Sequence, residues 1–488
     1  MRLKNLRVAF LHNGYESLGL EYLSAALKAE GAAVELFIDP CLFRESGFWD
    51  SQAMARLFSQ EGRALEELLA WKPDLVCFSV FTDNYRWALA WAGRIKARAD
   101  IPVAFGGIHP TSAPETVIAE AAVDYVCVGD GERALPALAA ALGAGLKINI
   151  PGIWHREGGK ILGSPPAPPQ PLDGLPPPDK ELFYGKYPFF AKSYLAAASR
   201  GCPYACGYCC NSVYKKLHGG GYYRKRAPGA VVAELEKAKE RWHPEAVHFT
   251  DEVFNADQAW LQEFLPLYLE RVGLPFSCYA FPDLLDEAAA LALKKAGCFK
   301  VQLGVQRFDE TKRAALLDRR SSNAAIAAAL AALKKAGVYS VCDNILGLPD
   351  ETPEELDALL RFYHEHTPDA NEVFFLKHYP GTPLFEKALA EGLLTPEEKA
   401  GILAGLGRGG IIKGKGTAAE RYLAPLLLFP LLPRAGRAFL LKGRRYLLPA
   451  FGNIALRVMV RLLRRPRRDF YTEQFARRYL HFALKKFF

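Results

Sequence analysis

Three cysteines stand on one short loop, Gly201-Cys202-Pro203-Tyr204-Ala205-Cys206-Gly207-Tyr208-Cys209, in a C-x3-C-x2-C spacing just after a small-residue strand, Tyr194 to Ser199. Thiolates so arranged can ligate three corners of an iron–sulfur cubane. Ordinary four-iron clusters take four cysteines, so one iron would keep an open position for a substrate. A structural zinc site asks for four nitrogen or sulfur ligands in paired spacings, and no second C-x2-C follows. Cys210, next to the last of the three, is expected to point away and pack as a small apolar thiol.

With an aromatic residue before its last cysteine, the loop resembles the signature of the radical S-adenosylmethionine (SAM) enzymes. The resemblance implies a 4Fe-4S cluster on Cys202, Cys206 and Cys209, whose open iron chelates the amino and carboxylate groups of SAM. Reduction of the cluster, by a low-potential donor of flavodoxin or ferredoxin type, then releases a 5′-deoxyadenosyl radical. Tyr208 would lie against the adenine.

Six strand–helix repeats must position this loop. The strands are read at Tyr194–Ser199, Ala246–Thr250, Phe276–Ala280, Lys300–Val305, Ser340–Leu346 and Glu372–Lys377, with no obvious seventh. They predict a partial (β/α)6 barrel of TIM type with its chemistry at the carboxyl ends of the strands. By resemblance, Asp251 and Glu252 occupy the place of the G-G-E motif that holds the methionine amino group, although its glycines are missing. Gln302 and Gln306 fall on a G-x-Q-like strand end that contacts ribose and carboxylate. Asn344 and Gly347 fall in the loop that hydrogen-bonds adenine.

The first 140 or so residues alternate buried runs (Leu6–Leu11, Ala33–Ile38, Leu75–Val80, Val103–Phe105, Tyr125–Val128) with helical patterns. This predicts a Rossmann-like, doubly wound parallel sheet, which binds ligands at the carboxyl ends of its strands. The loops there resemble those of the cobalamin-binding (B12) domain fused to many radical SAM enzymes, with its G-G-x-H-P-T and G-x-G-E sequences. The resemblance puts Gly106, Gly107, His109, Thr111, Gly129, Gly131 and Glu132 along the corrinoid's nucleotide tail. Ser17 and Leu18 would approach the corrin face, with Ser79 nearby. The D-x-H-x-x-G loop that ligates cobalt in methionine synthase-like proteins is absent, so the cobalt would have no protein histidine below it.

The expected organisation is a cobalamin-binding domain over 1–150, a Pro-rich linker over 151–190, the barrel over 191–395 and a basic, hydrophobic helical extension over 396–488. The chain has 488 residues and ten scattered cysteines. The lack of a secretory h-region points to a reducing cytosol. Residues 421–488 carry 16 Lys and Arg against two acids, a net +14 in a chain of net +9. No apolar run there is long enough to span a bilayer. Arginines interleaved with apolar and aromatic residues suit either a helical cap on the barrel or peripheral contact with the inner face of a membrane. The tail is too apolar for a solvated nucleic-acid arm.

The sequence therefore points to a cobalamin-dependent radical SAM enzyme methylating an unactivated carbon, with a lipid-like substrate suggested by the tail. Oxidative cyclisation or carbon–carbon coupling without methyl transfer is an alternative on the same architecture. An iron–sulfur redox sensor binding nucleic acid through the tail is an alternative of another class.

Overall fold

A computed structural model of the protein describes residues 3–45, 49–406, 419–442, 460 and 470–487. The N-terminal sheet is built on β1 (Arg7–Asn13), β2 (Ala33–Asp39), β3 (Leu75–Ser79), β4 (Val103–Gly106) and β5 (Tyr125–Cys127), all parallel. Their order, β2-β1-β3-β4-β5, is the flavodoxin-like form of the doubly wound sheet. Val8 to Leu11 are fully buried because helices cover both faces of the sheet. Helix α1 (Leu18–Ala29) starts where Ser17 caps it, accepting from Leu20 N, and α2 (Gly131–Gly143) follows β5.

The linker begins later than expected. β6 (Ile153–Glu157) and β7 (Lys160–Leu162) form a hairpin across Gly158-Gly159 and extend the first sheet antiparallel from β5. The proline-rich signal starts only after this hairpin, so residues 151–162 belong to the N-terminal sheet.

The second sheet holds β8 (Ser193–Ala196), β9 (Ala246–Phe249), β10 (Phe276–Ala280), β11 (Cys298–Gln306), β12 (Tyr339–Leu346) and β13 (Ala370–Phe375) in sequence order, all parallel. Among the described residues β8 and β13 do not pair, which leaves the six-stranded barrel open. The expected first strand breaks in two: Ser199–Arg200 leaves the barrel and pairs antiparallel with Arg224–Lys225. The cysteine loop runs from there into α3 (Asn211–Leu217).

A buried ion cluster joins the domains. Lys180 Nζ, from the linker, lies 2.8 Å from Glu16 Oε1, 2.7 Å from Glu21 Oε2 and 2.7 Å from Leu195 O on β8. Tyr184 OH donates to Glu16 at 2.8 Å. Burial, opposed by the Lys180 ammonium, holds the Glu21 carboxyl well above the usual carboxylate range.

The described parts of the tail are helical and packed on protein. Against α4 (Pro353–Glu365) and β13 lies α5 (Glu420–Leu428): Tyr422 OH bonds Asp357 at 2.7 Å, and Asn371 Nδ2 donates to Leu426 O at 2.9 Å. The last helix, α6 (Phe470–Phe487), docks on the N-terminal domain. Residues 443–459 and 461–469, with most of the arginine-rich run, lie outside the described residues. No helix among the described residues is long and apolar enough to cross a membrane.

Candidate functional site

The cysteine loop crosses the carboxyl-end mouth of the barrel and is pinned through its backbone. Gly207 N donates to Leu317 O at 2.8 Å, and Leu384 N donates to Gly207 O at 2.9 Å. A Cβ at Gly207 would sit 3.3 Å from Leu316 O, so a larger residue would push this contact apart. Tyr208 packs among Leu316, Leu317, Ile345, Leu348 and Leu384, an apolar floor beside the cysteines.

The three thiols sit within electrostatic reach of one another. Burial pushes Cys202 up to about 12, with Cys209 and Cys206 adding to the rise. Burial also raises Cys206, against the opposing charge of Arg319. Cys209 is lowered, chiefly by a hydrogen bond from Cys210, and Asn211 Nδ2 lies 3.6 Å from its sulfur. Cys210 therefore does not point away as expected: it starts α3 and turns its thiol back onto Cys209. Among the described residues no three His, Cys, Asp or Glu side chains converge tightly enough for a single metal ion. A cubane makes a different demand, one thiolate on each of three irons, and three neighbouring thiols on one loop are a donor set of that kind.

Around the loop, the carboxyl ends of the strands supply polar groups. Glu252 is exposed at the mouth, bonds Asn211, and lies close enough to Cys202 and Cys209 for its charge to oppose the ionisation of both thiols. Asp251 is a correction. Its oxygens accept from Ala198 N (3.0 Å) and Ser199 Oγ (2.5 Å), so this buried carboxylate fastens the chain entering the cysteine loop. Gln302 Nε2 donates to Asp343 Oδ1 at 2.8 Å inside the barrel, and burial pushes Asp343 up to about 7.

Gln306 stands at φ 66°, where the register between β11 and β12 slips past Gly304. Such strain in a non-glycine residue costs about 1–3 kcal/mol and clusters at functional sites. Asn344 is also a correction: its amide donates to Cys342 O and Glu372 O and accepts from Tyr363 OH on α4. The pleat turns Asn344 outward and its neighbour Asp343 inward. Gly347, at φ 74°, stays at the mouth, where its N–H donates to Glu351 at 2.8 Å.

Sequence reading missed Arg319. Its guanidinium is buried, donates to Gly304 O at 2.6 Å, approaches Cys206 Sγ at 3.9 Å and lies 4.5 Å over the Phe281 ring. Among the described residues its Nε has no hydrogen-bond partner. A buried cation with a spare donor beside a cysteine cluster is a ready anion site. No local motif marks it, because the contacts are made by residues from separate strands.

At the switch point of the N-terminal sheet, Ser17, Leu18, Ser79, Gly106 and Gly107 remain partly open along the ends of β1, β3 and β4. Gly107 has φ 101°, and a Cβ there would lie 2.8 Å from the Val80 backbone. The structure departs from five expectations in this domain. His109 is fully buried between Thr82 Oγ1 and Leu403 O, both at 3.1 Å, and burial lowers it to about 4. Thr111 is buried and accepts from Gly129 N. Glu132 pairs with Arg200 at 2.6 Å. The room beside Gly129 and Gly131 is taken by Pro166 and Leu23.

The two strand-end surfaces meet. Lys377 Nζ, beyond β13, lies 2.5 Å from Asp83 Oδ1, beyond β3. Tyr222 OH donates to Asp130 at 2.8 Å, Tyr214 bonds Thr111, and Tyr214 and Tyr222 stack at 4.7 Å.

A flavodoxin-like domain whose ligand edge abuts a partial barrel with three cysteines at its mouth defines a two-cofactor radical enzyme. Residues 6–139 match the B12 binding domain and residues 197–363 match the Radical SAM superfamily. The chain thus joins a B12-binding domain to a radical SAM domain, and these domains point to a 4Fe-4S cluster, SAM and cobalamin as its cofactors.

The chain is 28% identical over 389 residues to the uncharacterized methyltransferase PH0819 of Pyrococcus horikoshii, covering 77% of this chain and 79% of the relative. It is 26% identical over 407 residues to the anaerobic magnesium-protoporphyrin IX monomethyl ester cyclase of Rubrivivax gelatinosus (78% and 70% covered). It is 25% identical over 373 residues to the hopanoid C-3 methylase of Methylococcus capsulatus (74% and 69% covered). Two solved structures share the fold. The cobalamin-dependent radical SAM enzyme OxsB matches with a TM-score of 0.70 at 15% identity, covering 99% of this chain and 80% of that one. The radical SAM methyltransferase TsrM of Kitasatospora setae matches with a TM-score of 0.65 at 20% identity, covering 80% and 76%.

Proposed function

We propose that the protein is a cobalamin-dependent radical SAM methyltransferase acting on an unactivated carbon. The observation that carries this reading is the junction of the two strand-end surfaces through Lys377–Asp83, Tyr222–Asp130 and Tyr214–Thr111, which sets the carboxyl ends of one sheet against those of the other. When bound, the cluster and SAM supply a hydrogen-abstracting radical and cobalamin supplies a methyl group; both are needed at one substrate carbon.

The chain's own residues divide the task of holding them. Cys202, Cys206 and Cys209 take the cluster. Glu252 would hold the SAM ammonium and Arg319 its carboxylate. Gln306, Gly347 and the apolar bed of Tyr208 receive the nucleoside. Ser17, Leu18, Ser79, Gly106 and Gly107 form the corrinoid edge.

Relatives on both sides favour carbon substrates in large apolar molecules: a hopanoid methylase supports a lipid-like substrate, and the porphyrin cyclase supports ring formation as the second reading. A cytoplasmic setting suits an oxygen-sensitive cluster fed by a low-potential flavodoxin or ferredoxin. Peripheral contact of residues 421–488 with an anionic membrane is part of the same proposal; flotation with anionic liposomes tests it, and protein left at the bottom removes it.

The cofactor reading is tested by anaerobic reconstitution. A cubane signal that changes on adding SAM, together with stoichiometric retention of cobalamin, supports it. A cluster unchanged by SAM in protein that also refuses cobalamin contradicts it.

A further inference from the structure

Helix α6 lies more than 450 residues after β1 in sequence, yet its buried stripe rests on the ligand end of the N-terminal sheet. Gln474, Arg478 and Phe482, one turn apart, are 1%, 2% and 4% exposed, whereas Leu480 and Leu484 on the other side are open. Four anchors hold the helix down. Phe43 N donates to Tyr479 OH at 2.9 Å, and Gln60 Nε2 donates to Phe482 O at 2.8 Å. The rings of Phe482 and Tyr187 lie 5.5 Å apart, and those of His481 and Phe189 lie 5.1 Å apart.

The stripe meets the loop that follows β1. Gly14 has φ 87°, and a Cβ there would overlap the Arg478 guanidinium, so glycine leaves the space that the cation fills. The guanidinium lies 4.3 Å over the Tyr15 ring. Gln474 Nε2 donates to Glu16 Oε2 at 3.3 Å, the carboxylate whose other oxygen is held by Lys180 and Tyr184. Three consecutive residues, Gly14, Tyr15 and Glu16, are thus fixed from the far end of the chain. The next two are Ser17 and Leu18, which open α1 and border the switch point where this fold binds its ligand.

We propose that α6 is a structural wall of the corrinoid site, with Arg478 as a positioning residue that sets the Gly14–Leu18 loop for cobalamin. This rests on the reading that cobalamin binds this domain. A guanidinium buried on an aromatic face is attracted more strongly than an exposed one, which helps to order a short loop that has a glycine at positive φ. Without it the loop relaxes, and binding must bear the cost of ordering it again.

The test is anaerobic titration of full-length, cluster-loaded protein with hydroxocobalamin, followed by absorbance and equilibrium dialysis. R478A and G14A are expected to weaken cobalamin binding about tenfold or more, a change of ~1.4 kcal/mol. Q474A should weaken it less, and R478K should recover part of the loss. Iron content and the SAM-induced change in the cluster spectrum should match wild type in all four, because the barrel is untouched. Wild-type affinity in folded R478A and G14A overturns the inference alone. Should R478A fail to fold, G14A and Q474A decide on the same criterion. Failure of the wild type itself to bind cobalamin overturns the cofactor reading and this inference with it.

Discussion

Arg319 binds the carbonyl of Gly304 at 2.6 Å with one amino group and reaches Cys206 Sγ at 3.9 Å with the other. A strand end and one of the three loop cysteines are thereby tied to one buried cation. In this account the same guanidinium offers its unused Nε to the carboxylate of SAM. Arg319→Ala should then lower SAM affinity by roughly ten- to a hundredfold, the range for a charged hydrogen bond of about 1.5–3 kcal/mol. Arg319→Lys should recover little, because a point charge cannot serve both sides at once. The SAM dependence of the cluster's electron paramagnetic resonance signal checks this, and iron content controls for cluster loss.

The four neighbouring cysteines should separate cleanly. Serine at Cys202, Cys206 or Cys209 should abolish the SAM-responsive cubane. Cys210→Ala should keep the iron and shift the cluster's reduction potential, since hydrogen bonding to a ligand sulfur is one of the levers on that potential. Iron analysis with a potentiometric titration reads both outcomes.

Lys180 should be the most sensitive surface-remote residue. Replacing it with Met strands Glu16 in a dry interior, and breaking a buried pair costs about 3–5 kcal/mol. Glu21→Gln should cost less, because burial raises that carboxyl well above the usual carboxylate range and so already disfavours its charged form. The shift of the urea midpoint measures the difference.

Asp343 and Glu351 give a pH signature. Burial raises both to about 7, from 3.8 and 4.5. The folded protein therefore binds these protons more tightly than the unfolded chain. The stability they contribute is complete below about pH 4 and is lost as pH rises through about 7. The melting temperature of D343N/E351Q should fall less steeply than wild type between about pH 5 and 7.5; equal slopes would show that neither carboxyl is held in this way.

The two sheets were legible because buried strands read as continuous apolar runs, and the cysteine loop was legible because its ligands are neighbours in sequence. Errors arose where one residue decides a face. Period-two alternation separates Asp343 inside the barrel from Asn344 outside, and the bulge after Gly304 shifts the register that a reader must count through. Asp251 and Glu252 divide similarly, one as a structural acceptor and one at the mouth. Distant partners were invisible: Leu403 occupies His109 from 294 residues away, and Arg478 fills the gap at Gly14. Amphipathic patterning of the tail could not distinguish protein from lipid as the surface its apolar face meets.

Methyl transfer itself is tested most directly by anaerobic turnover of protein carrying cluster and cobalamin, with SAM, a low-potential reductant and a host lipid extract, reading nucleoside products by mass spectrometry. The account predicts S-adenosylhomocysteine and 5′-deoxyadenosine together, both lost in Cys206→Ala and the former lost without cobalamin. 5′-Deoxyadenosine formed alone, at the same rate with and without cobalamin, would contradict it and point to ring formation or coupling.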